Sequence, residues 1–228
     1  MTTIRRIKKR RNQGFTLVEM IGVLAVVAIL TAMLIPKVFD TINSARVSAA
    51  ASAVNTVKTA VSNHYSKYGG FADSTGALLI PSADLETGAD PDDLDAQNFD
   101  VNVLLPEGLL EQRFSVKMGD QLTTNLTRVR QIVTAATAAA ITATSANYDM
   151  DGVDADVDTE DGALVCECVI TGVSAADARA LKQQIDGSDI TAIANLPAIG
   201  GVATKGRVKY DAIVPGTTGT VLVYVNHR

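Results

Sequence analysis

From Phe15 to Ile35 the chain is apolar or small at every position except Thr16, Glu19 and Thr31. At about 1.5 Å per residue this run spans roughly 31 Å as a helix, enough to cross the hydrocarbon core of a bilayer. Beyond Pro36 the apolar positions Val38, Phe39, Ile42, Val47, Val54, Val57, Val61 and Tyr65 recur mostly at steps of three, four or seven. That spacing predicts a continuing amphipathic helix. Lys67 in a last turn followed by Gly69-Gly70 predicts its end, and Pro36 a kink within it.

The remainder, residues 69–228, reads as one head domain. Residues 69–108 are turn-rich, with Pro81, Pro91 and Pro106 and an acidic run from Asp90 to Asp95. Residues 126–146 mix Ala, Thr and Ile, and their pattern assigns neither helix nor strand. Three strands are predicted at Ala163–Thr171, Gly206–Asp211 and Thr220–Asn226, each bounded by glycine or Pro-Gly. Between the first two, Ser174 and Asp177 have capping-box spacing and predict a helix ending near Gly187. A long N-terminal α-helix with a small antiparallel sheet head is an α+β fold.

Charge divides the chain. Residues 1–14 carry six Lys and Arg and no acid, whereas residues 69–228 carry 10 Lys and Arg against 23 Asp and Glu, a formal −13. A basic flank before a spanning helix is held on the cytoplasmic side. An acidic head lacks the clustered cations that phosphate binding requires, which argues against nucleic acid as a partner. Gly14 is the one small-residue junction near the apolar run, and it precedes that run. Cleavage there would remove the basic leader, keep the anchor and create a new amine at Phe15. Glu19 costs about 2.5–3.5 kcal/mol at mid-membrane on insertion scales, so an intramembrane partner is expected. The Phe15 amine, of its own or a neighbouring chain, is the candidate.

Gly14-Phe15-Thr16-Leu17-Val18-Glu19, the apolar run and Pro36 resemble the type IV prepilin signature, shared with type II secretion pseudopilins. The resemblance covers residues 1–45 or so. It implies removal of leader 1–14 by a prepilin peptidase, methylation of Phe15, an assembly role for Glu19, and no enzymatic activity. It also implies a chain of three parts: leader 1–14, long helix 15–68 with transmembrane part 15–35, and exported head 69–228. The expected partners are membrane lipid, an inner-membrane assembly platform and other pilin subunits in a helical filament. The expected location is the bacterial inner membrane with the head outside the cytoplasm, then a filament in the periplasm or at the cell surface. Ala28 departs from the glycine many members carry at mid-span, which weakens any expectation of local helix melting there.

In the head, Asp149, Asp151, Asp154, Asp156, Asp158, Glu160 and Asp161 crowd one stretch between Tyr148 and Gly162. Calcium takes six to eight oxygens from such loops. The spacing does not follow the helix-loop-helix calcium pattern, so a calcium loop and a solvated acidic turn are both open. Cys166 and Cys168 would share one face of a strand as free thiols or, after export, as a disulfide strained by a Cα separation of about 6.6 Å. His64 and His227 lack further ligands in sequence and read as structural or surface residues. Asn125-Leu126-Thr127 matches a glycosylation sequon and is given no role. Three functions compete: a filament subunit of a type IV pilus or secretion pseudopilus, a non-polymerising membrane-anchored binding protein whose acidic head would be a calcium-dependent ligand module, and an exported enzyme, which has only the size of the head in its favour.

Overall fold

The computed structural model describes residues 14–72, 76–77, 97–118, 127–134, 141–142, 145–151, 157–159, 162–187, 199–214 and 216–227. It forms two compact units, Met1–Ile42 and Asn43–Arg228. Helix α1 (Leu17–Tyr68) is 52 residues long, and Pro36 lies inside it without ending it. The helix stops where expected. Gly69 takes φ 69°, and its N–H donates to the Tyr65 carbonyl at 2.8 Å, a glycine C-terminal stop.

Within the second unit, α1 presents Val47, Ala50, Ala51, Val54, Val57, Ala60, Val61 and His64 as a buried face. The compact unit therefore takes in the helix from Asn43 onward, whereas a boundary at 69 follows the helix end. A π-helical turn (Asp100–Leu104) contributes Val103 and Leu104 to the same core. The sheet contains β1 (Arg128–Val133), β2 (Leu164–Val173), β3 (Val208–Tyr210) and β4 (Gly219–His227). Its order is β1-β2-β4-β3, antiparallel throughout. The three predicted strands are present to within a few residues. Strand β1 lies in the stretch that sequence left unassigned.

Alternation sorts the two faces of the sheet. Val129, Cys168, Val223 and Val208 form one cross-strand row, with Ile170, Val221 and Tyr210 beside it. These side chains join α1 in the main core. Burying each valine or isoleucine contributes about 1.5–3 kcal/mol. The opposite face buries Val165, Tyr148 and Tyr224 in a second, smaller cluster. Helix α2 (Ala175–Asp186) follows β2 directly. Its cap is the expected one: the Asp177 N–H donates to Ser174 Oγ at 3.2 Å.

Cys166 and Cys168 are buried free thiols, and burial pushes both well above the usual thiol range. His64 is structural. Its Nε2 accepts the Ala72 N–H at 3.1 Å, so Nδ1 carries the proton toward Glu107 Oε2 at 2.8 Å. That arrangement ties the end of α1 to the segment after the π-turn.

Candidate functional site

Three described acids of the stretch come together. Ligand oxygens of Asp149, Asp151 and Asp158 all lie within 4.8 Å of one another. Asp158 closes the turn: its N–H donates to the Tyr148 carbonyl at 2.9 Å. Its Oδ2 accepts the Asp151 N–H at 3.0 Å and the Met150 N–H. Asp149 is buried and sits 3.9 Å from Lys205 Nζ. Carboxylate oxygens in this grouping suit a hard, oxygen-preferring cation. Asp154, Asp156, Glu160 and Asp161 lie outside the described residues.

A buried ionic group holds this loop on the sheet. Glu167, between the two cysteines, projects to the other face and is fully buried. It accepts from Arg130 Nε at 2.6 Å and from the Tyr148 hydroxyl at 2.5 Å. Lys209 Nζ lies 3.7 Å from the Tyr148 ring centroid and donates to the Asn147 carbonyl at 2.8 Å and to that of Ser145. Desolvation lowers the Lys209 ammonium to about 8, and Glu167 opposes the shift. Partnered buried charges of this kind favour one arrangement over others. On the far side, the Gly206 N–H donates to the Asp149 carbonyl at 2.6 Å.

At the N-terminal end, Gly14, Phe15 and Thr16 precede the helix and are exposed. Phe15 is 77% exposed, and large apolar side chains from Leu17 to Ile42 are exposed as well. Thr16 and Glu19 form a reciprocal capping box. The Thr16 N–H and hydroxyl both donate to Glu19 Oε2 at 2.8 Å, and the Glu19 N–H donates to Thr16 Oγ1 at 3.3 Å. In a single chain Glu19 is therefore satisfied by its own helix end. The Thr-x-x-Glu spacing that makes this cap was visible in the sequence. A Cβ built on Gly14 or on Gly22 would meet nothing within 4 Å.

Residues 9–35 match the family model of the prokaryotic N-terminal methylation motif. The chain carries a prepilin-type signal. It is the signal of type IV pilin-like and pseudopilin precursors, proteins of structural type that are processed by a prepilin peptidase and assembled into filaments. No curated protein and no solved structure matches the chain. In this prepilin-type chain one described helix is long and apolar enough to cross a membrane, and it begins near the N-terminus. Signal and helix together fit a membrane-anchored, single-pass precursor.

The prepilin-type signal and the acidic loop belong to different compact units. Sequence had proposed Glu19 and the aspartates separately. It did not identify Thr16 as the partner of Glu19, Lys205 beside Asp149, or the Arg130–Glu167–Tyr148–Lys209 group.

Proposed function

We propose that this chain is the precursor of a structural filament subunit of a type IV pilus or type II secretion pseudopilus. It is cut between Gly14 and Phe15, methylated on Phe15 and polymerised through residues 15–35. The observation that carries the reading is the prepilin-type signal lying on an apolar helix whose side chains are exposed from Leu17 to Ile42. Such a surface needs lipid or neighbouring helices to cover it. Space around Gly14 is open, so the chain's own packing does not demand glycine there. A processing enzyme that admits only a small residue supplies that demand. Gly22, equally open, leaves room for close approach between helices.

The capping box gives Glu19 a route into the membrane. Its partner N–H belongs to the Phe15–Thr16 peptide bond, which survives cleavage after Gly14, so the carboxylate keeps its internal hydrogen bonds in the trimmed subunit. In the filament the Phe15 amine of a neighbouring chain joins or replaces Thr16 at that carboxylate, and the pair fixes register. The head lies outside the cytoplasm, and the subunit's partners include an inner-membrane assembly platform. The Asp149, Asp151 and Asp158 loop supports a further feature, a calcium site in the exported head. The same loop supports the competing reading of a non-polymerising anchored binding protein.

Glu19→Ala separates the two. The filament reading expects membrane levels equal to or above wild type, because a costly carboxylate has gone, with loss of sheared filaments. Filaments of normal yield and order from the mutant would remove Glu19 from assembly. Absence of filaments from the wild-type chain, in cells with the full assembly machinery, would favour the anchored binding protein.

A further inference from the structure

A second surface of the head has no role in the account so far. Between α1 and the segment 110–117 lies an open cleft of about 450 Å³, within the size range of ligand sites. Ala53, Val57, Leu110 and Phe114 give it apolar walls, and Arg113 and Lys117 line it with positive charge. The segment is firmly held. Phe114, Val116 and Met118 are buried in alternation with exposed Arg113, Ser115 and Lys117. The Phe114 N–H donates to Asp100 Oδ2 at 2.9 Å, and its carbonyl accepts from Thr127 Oγ1 at 3.1 Å. Arg113 donates to the Thr127 carbonyl at 3.2 Å. Among the described residues neither Arg113 nor Lys117 pairs with a carboxylate.

Two cations that meet no carboxylate among the described residues stand out around an apolar cleft in a head with 10 Lys and Arg against 23 Asp and Glu. Polymerising such subunits brings heads of like charge together, and they repel unless negative groups on one meet positive groups on the next. The chain holds a segment of matching chemistry. Asp90-Pro91-Asp92-Asp93-Leu94-Asp95 sets one leucine between two aspartates, with two more acids just before. Leu94 suits the apolar walls, and the flanking carboxylates suit Arg113 and Lys117.

We infer that this cleft docks the Asp90–Asp95 segment of a second copy of the chain, an inference that rests on the filament reading above. The contact joins adjacent heads, and the apolar helices make their own contacts. Charge pairs at the rim act mainly on partner choice and register.

The test uses the full-length chain in cells that process and assemble it. Arg113→Glu with Lys117→Glu should leave membrane level and the Phe15 terminus unchanged while sheared filament yield falls by about tenfold, since like charges placed face to face are strongly disfavoured. Adding Asp92→Lys and Asp93→Lys to that variant should restore most of the yield, which a misfolded head would not do. To identify the second copy, a chain with Ser115→Cys is co-expressed with a size-tagged chain carrying Asp93→Cys, the native thiols being buried. A disulfide-linked pair of one tagged and one untagged chain in filaments supports the inference. Wild-type yield from the charge-reversed cleft, or no linked pair from the co-expressed chains while a third chain carrying both cysteines closes the bond within itself, would overturn the inference and leave the filament reading intact. No filaments from the wild type would remove both.

Discussion

Gly206 is the position where one added methyl group should do the most measurable damage. It sits at φ 81°, in the left-handed region. A Cβ there would lie 2.9 Å from Asp186 Cγ and 3.1 Å from Lys182 Nζ, and closer still to Asp186 Oδ2. Those two side chains form a buried clamp. Lys182 Nζ is 2.8 Å from Asp186 Oδ2 and donates to the Val208 carbonyl at 3.0 Å, while Asp186 Oδ1 accepts the Arg207 N–H at 2.9 Å. Left-handed backbone costs an alanine about 1–2 kcal/mol, and prising apart a buried pair costs up to about 3–5 kcal/mol. Because the clamp can shift rather than break, Gly206→Ala should cost about 3 kcal/mol, a Tm drop of about 6–12 °C for a domain of this size. Gly216, at φ 88° with nothing within 4 Å of an added Cβ, isolates the backbone contribution. Gly216→Ala should lower Tm by only about 2–8 °C, and by less than Gly206→Ala. The assay is thermal unfolding of the Asn43–Arg228 fragment by circular dichroism. Equal drops for the two variants would refute the clash and the clamp it disturbs.

Calcium at millimolar concentration should stabilise the same fragment, by about 2.7 kcal/mol at a hundredfold excess over Kd, and so raise its Tm, and Asp151→Ala should abolish the rise. An unchanged Tm would leave the loop as a solvated acidic turn. Lys209 gives a pH signature. Its folded value of about 8 lies below the usual 10.5, so between those values the unfolded chain binds more protons and stability rises with pH. The buried Cys166 and Cys168 thiols and the Tyr148, Tyr210 and Tyr224 hydroxyls are all pushed up by burial, so they lose stability as pH rises toward and through their ordinary values and oppose this rise. Lys209 itself should therefore contribute a gain of about 2 kcal/mol from pH 8 to 10, read in urea unfolding as the wild-type profile minus that of Lys209→Met, which keeps the thiols and tyrosines. Parallel pH profiles for wild type and Lys209→Met would contradict the assignment.

The long helix and three of the four strands were legible because each is specified locally. Apolar spacing continues unbroken through Pro36, glycine stops it at 69, and β2 and β4 are runs of β-branched residues between turns. Strand β1 was not legible. Arg128-Val129-Arg130-Gln131 offers its core face only Val129 and Gln131, and its identity comes from pairing with Cys168 and Cys166, far away in sequence. The alternation Cys166-Glu167-Cys168 placed the acid opposite the thiols, but its partners Arg130 and Tyr148 come from other segments. The acidic loop was visible as composition, yet Asp158 reaches Asp151 through a turn closed on the Tyr148 carbonyl, which spacing alone does not encode. At the helix start, Thr16 and Glu19 had capping-box spacing. There the membrane setting directed attention to the Phe15 amine.

Every part of the functional account depends on what happens between Gly14 and Phe15. Mass spectrometry of the intact protein, extracted from the membranes of cells that contain a prepilin peptidase, tests it directly. The account predicts a chain beginning at Phe15 and carrying one additional methyl group on its amine. A chain still beginning at Met1 in those cells would contradict it.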